Sequence, residues 1–249
     1  MITRGVLSQY RNVVGFNLGQ LEKDYLQHLL LSIIYRSTAN ALVFKGGTCL
    51  QKVYGLNRFS EDLDFTIYEP PIPSVDVISA SISDFGYPTH GRLSEKEDSV
   101  QMRFEVRGPL YMGESSLCYL RIEASGRERV VLEPEFKMVY PIYEDLPPYS
   151  TLSICTEELL AEKIRALITR GRARDLYDVH FLLKKETPIK WDLIEKKMAY
   201  YGRGIKPEDV ISGVKSREKG WERELSALIP RVPPFGDVEK FVVARVMGD

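Results

Sequence analysis

The segment GGTCLQKVYGLNRFSEDLDF, residues 46–65, limits what this chain can become more than any other stretch. Its end runs on as EDLDFTIY, in which polar and apolar residues alternate, and this predicts a strand with Leu63 and Phe65 facing a core. Side chains two apart in a strand share a face, so Asp62 and Asp64 project side by side. Two ionised carboxylates about 5 Å apart repel by roughly 3 kcal/mol at an effective dielectric of about 20. Keeping both charged requires a cation among them. Hard oxygen ligands favour Mg²⁺ or Mn²⁺, which bind through a couple of carboxylates and leave other positions to water and phosphate. Upstream, ALVFK is a short apolar run closed by Gly46 and Gly47, a strand ending in a tight turn, and TCLQKVYG suits a two-turn helix ending at Gly55. The glycines would let a triphosphate lie against backbone N–H groups at the helix start. Thr48 adds a hydroxyl there, and Lys52 and Arg58 add positive charge. Taken singly, Gly-Gly reads as a turn and Asp-x-Asp as a solvated edge strand. Joined, with Thr48 fourteen residues before Asp62 on an apolar strand, they read as one site.

The rest of the chain has room for such a site. With 249 residues, 44% of them hydrophobic and 28% charged, it can bury one large core or two modest ones. Net charge is −1, split as 15 basic and 19 acidic side chains over residues 1–150 and 19 and 16 over 151–249, too weak an asymmetry to announce a nucleic-acid binder. Cys49, Cys118 and Cys155 are odd in number and far apart, which predicts buried thiols and neither a disulfide framework nor a zinc site. No apolar run approaches the roughly 18 residues of a membrane span, and MITRGVLSQYRN lacks the apolar centre of a signal peptide. The expectation is a cytoplasmic protein with no membrane partner.

Residues 20–37 carry Leu21, Tyr25, Leu29, Ile33 and Ile34 near helical spacing and predict a largely buried helix. A helix near 75–84 and three alternating runs, SVQMRFEVR, LCYLRIEAS and RVVLEPEFKMVY, suggest neighbouring antiparallel strands. EDLPPYST, residues 144–151, breaks every pattern and is the candidate boundary between domains at 1–149 and 150–249. Beyond it the chain reads as helical. TEELLAEKIRALITRG has Thr156 as N-cap, two glutamates in its first turn and Gly171 as its stop, and RARDLYDVHFLLKK follows as a second helix. The predicted fold class is α/β (α+β), a mixed, mostly antiparallel sheet followed by a helical C-terminal domain.

GGTCLQK followed by RFSEDLDF resembles the signature of the DNA polymerase β-like nucleotidyltransferases, and specifically of the AbiEii/AbiGii toxin family of type IV toxin–antitoxin and abortive-infection systems. LEKDYLQHLLL resembles the family's N-terminal helix, and KIRALITRGRARDLYDV resembles its Lys and Arg-Asp-x-x-Asp segments, in which the lysine and an aspartate are catalytic. The likeness runs to about residue 183. It implies a polymerase β-like nucleotidyltransferase domain, an NTP substrate, a separately encoded antitoxin, and as acceptor an RNA, the 3′ end of tRNA. It also implies a third acid on a neighbouring strand. Glu123, on the polar side of YLRIEAS, is the candidate, with Glu135 and Glu105 as rivals.

On a helical wheel Lys163 falls inside the apolar arc of Leu160, Ile164, Leu167 and Ile168, so it either snorkels out or enters a cleft between domains to hold a phosphate. Asp175 flanks the apolar side of the next helix and Asp178 points further away, which favours Asp175 as the matching aspartate. The expected chemistry is nucleotidyl transfer. Asp62 and Asp64 hold two divalent ions, with Glu123 at the one nearer the acceptor, and Gly46, Gly47, Thr48, Lys52, Arg58, Ser60 and Lys163 hold the nucleotide. The rival readings are transfer to a protein hydroxyl or small molecule, and a catalytically silent nucleotide-binding regulatory module.

Overall fold

The computed structural model describes residues 1–248. The strands are β1 (Leu42–Lys45), β2 (Leu63–Ile67), β3 (Thr89–Lys96), β4 (Ser99–Val106), β5 (Cys118–Ser125), β6 (Glu135–Val139) and β7 (Tyr149–Ser153). The helices of the same region are α1 (Arg4–Gln9), α2 (Arg11–Val14), α3 (Leu18–Ser37), α4 (Gly46–Lys52) and α5 (Val75–Asp84). Later come α6 (Thr156–Thr169), α7 (Ala173–Lys184), α8 (Trp191–Ala199), α9 (Pro207–Lys215), α10 (Trp221–Leu225) and α11 (Phe235–Met247). The chain divides into two compact units, one of residues 1–130 and 134–153, the other of 131–133 and 154–248.

The first unit is built on one seven-stranded mixed sheet in the order β3-β4-β5-β2-β1-β7-β6. β2 lies near its middle, antiparallel to β1 and parallel to β5, while β1 and β7 are also parallel. The other pairings, β3 with β4, β4 with β5 and β6 with β7, are antiparallel. Alternation does what the sequence predicts: Leu63, Phe65, Met102, Phe104, Leu120 and Ile122 are buried on one face. α5 packs on that face so closely that a Cβ at Gly91 would meet Ser79 and Val75, and glycine is what the approach allows. α3 opens with a reciprocal cap between Asn17 and Gln20 and then buries residues all round, including Glu22, Asp24, Gln27 and His28.

Two strands escaped the sequence reading. β3 is an edge strand of mostly exposed polar residues with no apolar stripe to announce it. β7 lies partly inside the expected boundary segment; its Thr151 and Ser153 are fully buried and hydrogen-bonded to each other at 2.9 Å, so polar residues stand where a buried strand would show apolar ones. The run 129–140 yields a strand only from Glu135.

The second unit is helical apart from the short segment 131–133. Its α6 is capped at Cys155, with Thr156 the first helical residue rather than the N-cap. The backbone N–H groups of Val131 and Leu132 donate to the Glu158 carboxylate, which is also 2.6 Å from Lys197. Lys197 reaches Glu162 as well, at 3.1 Å, and the two carboxylates outweigh burial to raise its pKa. Three charged groups are thereby accommodated in the interior of the helical unit. All three cysteines are buried.

Candidate active site

β1 ends at Lys45 and α4 begins at once with Gly46, whose φ of +79° lies in the left-handed region. A Cβ at Gly46 would collide with the carboxylate of Asp64, and one at Gly47 would collide with the guanidinium of Arg58 and press on the Ser60 hydroxyl. The glycine pair therefore serves the side chains that crowd onto it. Lys45, Asp64 and Glu123 fall in one register row across β1, β2 and β5, on the face opposite the core. Asp62 lies one residue before β2, half-exposed, with Arg121 Nη1 3.9 Å from its carboxylate. Glu123 accepts a hydrogen bond from Gln101 Nε2 at 2.9 Å.

The segment from Phe59 to Asp62 is held along its backbone by side chains from elsewhere. Gln27 Nε2 donates to the carbonyls of Ser60 and Glu61, at 3.1 and 2.7 Å, and Gln51 Oε1 accepts the Ser60 N–H at 3.0 Å. Arg58 donates to the Phe59 carbonyl at 2.9 Å, and the Thr48 hydroxyl makes a short hydrogen bond to the Asp62 carbonyl. Behind this segment is a buried network. Asp24 accepts from Gln51 and Lys52, at 2.7 and 2.8 Å, and from Tyr143 at 2.8 Å, and His28 is bonded to Tyr149 at 2.7 Å. Burial pushes the Asp24 carboxyl up, but Lys52, His28 and Tyr143 outweigh it and hold it below its ordinary value. Burial, with Lys52 adding to it, takes His28 down to about 3 and keeps the imidazole neutral.

This geometry brings Gly46, Gly47, Thr48, Arg58, Ser60, Asp62 and Asp64 together and gives several of them other tasks than expected. Lys52, expected at phosphate, is only 1% exposed and spends its ammonium on Asp24 beneath the segment. Thr48 is fully buried and fastens α4 to the approach of β2. Glu123 is on the right face, directly across from Asp64, yet among the described residues no three carboxylate, His or Cys side chains stand close enough to hold a metal ion. Of its rivals, Glu135 lies on outlying β6, and Glu105 shares the β4–β5 face with Glu123 but pairs in register with Tyr119, away from Asp64. Gln27, Gln51 and Asp24 were missed. Their one signal was polar residues inside otherwise apolar helical stretches, since each partner lies far away in sequence.

In the helical unit Lys163 Nζ lies 2.7 Å from Asp178 Oδ2, both side chains buried. The wheel placed the lysine inward, as found, but Asp178 is fully buried and it, rather than Asp175, is the lysine's ion pair. Asp175 instead accepts two hydrogen bonds from Arg170, at 3.0 and 2.7 Å, and its carboxylate takes the Arg172 N–H at the start of α7.

The candidate site is thus Asp64 on the polar face of a mixed sheet, with Asp62 just before its strand, packed against a Gly-Gly turn. The family profile described as nucleotidyl transferase AbiEii toxin of type IV toxin–antitoxin systems matches residues 28–242, and the chain belongs to that family. Similar solved structures share the fold: the nucleotidyltransferase toxin MenT4 from Mycobacterium tuberculosis has a TM-score of 0.69 at 21% identity, covering 99% of this chain and 89% of that one. JHP933 from Helicobacter pylori has a TM-score of 0.62 at 20% identity, covering 93% and 92%. A further structure from H. pylori has a TM-score of 0.56 at 20% identity, covering 89% and 92%. No curated protein matches significantly by sequence alone. The protein is thus a nucleotidyltransferase toxin of the type IV class, a class that pairs with an antitoxin. No helix among the described residues is long and apolar enough to cross a membrane.

Proposed function

We propose that the protein transfers a nucleotidyl group from an NTP to the 3′-hydroxyl of an RNA, with tRNA as the acceptor, and depends on a divalent cation. The observation that carries this reading is the packing of the Asp64 carboxylate against Gly46, with the Arg58 guanidinium and the Ser60 hydroxyl crowded on Gly47: an acid and two phosphate donors around one turn. The acceptor oxygen attacks the α-phosphorus, a new P–O bond forms, the bond to the bridging oxygen breaks, pyrophosphate leaves, and the hydroxyl proton passes to a carboxylate of the cluster. Ser60 and Arg58 orient the phosphates, Gly46 and Gly47 leave them room, and Thr48, Gln51, Lys52 and Asp24 keep the segment rigid. Mg²⁺ or Mn²⁺ binds through one or two carboxylates together with substrate phosphate; Asp62 and Asp64 would supply those carboxylates, and the ion would neutralise charge on the phosphates. Within the helical unit Asp178 sets the position of Lys163, and Asp175 holds Arg170 and the first turn of α7. Catalysis of this kind is mainly placement and electrostatics.

The test is incubation of the purified protein with total RNA, Mg²⁺ and each α-labelled NTP in turn, beside Asp62→Ala/Asp64→Ala. Label on RNA that is lost by at least about a thousandfold in the folded double variant supports the reading, in line with the usual weight of charge stabilisation in such sites. Label on protein would move the acceptor, and equal activity in the variant would remove the two aspartates from the site.

A further inference from the structure

The face of the sheet that carries the acids continues across β5, β4 and β3, where Arg92, Arg103, Arg121 and Glu123 are exposed among the described residues. Along it Arg92, Arg103 and Arg121 are register partners on three adjacent strands. Adjacent strands are about 4.8 Å apart, so from β3 to β2 the row spans roughly 14 Å and ends where Arg121 meets Asp62. Like charges directly opposite one another destabilise a sheet. The local acids offset this only at the two ends: Arg92 is 3.7 Å from Glu105 and Arg121 is 3.9 Å from Asp62, while Arg103 is hydrogen-bonded to neutral Gln101. The Arg92 side chain is 70% exposed and that of Arg121 43%. Tyr119, 57% exposed, stands in the neighbouring row on the same face. On the other flank a depression of about 190 Å³ is lined by Ser94, Lys96, Gln101, Glu123 and Arg127.

Stability gives no reason for three side-by-side guanidinium groups, whereas a strand of phosphates does. An open row of cations beside an exposed aromatic ring is the arrangement that binds single-stranded nucleic acid through its backbone, with a base stacked on the ring. We propose that Arg92, Arg103 and Arg121, with Tyr119, form the track on which a single-stranded RNA acceptor lies as its 3′ end reaches Asp62 and Asp64. The inference rests on the nucleotidyl-transfer reading for its direction along the sheet, and on charge complementarity for its occupant.

The experiment is direct binding without turnover. Fluorescence anisotropy of a labelled single-stranded RNA oligonucleotide is followed from 0.05 to 0.5 M salt with the full-length protein, with Arg92→Gln/Arg103→Gln, and with Arg92→Lys/Arg103→Lys. Each phosphate contact on a single strand contributes about 0.7 to the log–log salt slope, so the Gln pair should lower the slope by about 1.4 and weaken binding roughly 25-fold at about 0.1 M salt. The Lys pair should keep the slope. Far-ultraviolet circular dichroism and affinity for a fluorescent NTP, both unchanged in the Gln pair, show that the fold and nucleotide pocket are intact. RNA affinity and slope equal to wild type, no RNA binding by the wild type, or a loss confined to NTP affinity would each overturn the proposal. Failure of the nucleotidyl-transfer reading shows elsewhere, as absence of label from every NTP, and leaves these binding curves untouched.

Discussion

Lys163 and Asp178 show how little a single side chain's pattern reveals about its task. A lysine on the apolar arc of α6 is legible as buried, but its partner lies on another helix, and helical wheels carry no information about what faces them. At 2.7 Å and out of water the two charges hold each other in place. Removing one leaves the other uncompensated, at a cost of about 3–5 kcal/mol, whereas removing both is far milder. Lys163→Met should therefore lower the unfolding midpoint steeply, and Lys163→Met/Asp178→Asn should recover most of that stability. If Lys163 also serves the phosphates, transfer stays at least about a hundredfold down in the double variant. Recovery of activity together with stability, measured by label incorporation and urea unfolding on the same samples, would leave the lysine a structural role only. The glycine pair was legible for a simpler reason: a left-handed turn and close approach by side chains need Gly in whatever fold surrounds them.

At the level of elements, the segment before β2 matters most, and what fixes it is donated by α3 and α4. Gln27 and Gln51 between them satisfy three backbone groups of Ser60 and Glu61, so this stretch is held without belonging to any helix or strand. Gln51→Met keeps the side chain's length but strips the Ser60 N–H of its acceptor, a loss worth about 1–3 kcal/mol. Because Ser60 orients phosphate in the proposed reaction, the variant should raise the KM for NTP about tenfold with a smaller change in kcat. Steady-state kinetics beside thermal unfolding check this, and a destabilised variant with unaltered KM would restrict the segment to a structural part. Lys52 was misread at this scale. Its position one turn into α4 is visible in the sequence, but the side of α4 that meets Asp24 is decided by α3, 28 residues away. β3 and β7 were hidden by composition, one exposed and charged, the other buried with hydroxyls.

Across the whole molecule, the sheet unit should weaken in acid through His28. Burial and Lys52 depress its pKa to about 3 from an ordinary 6.5, so the unfolded chain takes up a proton before the folded one does. Its contribution is intact above about pH 6.5 and declines as pH falls toward 3, by ~1.4 kcal/mol per unit, or about 2 kcal/mol at pH 5. Asp24, held below 3.8, contributes a loss only at lower pH, and Glu22, raised by burial, works in the opposite sense near 4.5 by keeping its proton in the folded state. Urea unfolding between pH 5 and 7 should give a steeper pH dependence for wild type than for His28→Gln; parallel curves would rule His28 out. The broad plan, a mixed sheet followed by helices, was legible because alternation and helical spacing are short-range signals, while the ion pairs joining distant residues were not. One feature of that plan bears on control of the toxin. β2 is hydrogen-bonded along both edges, to β1 and to β5, so Asp64 rides on a strand that local fraying does not reach. Silencing such a protein calls for masking that acid, because it cannot readily be shaken loose.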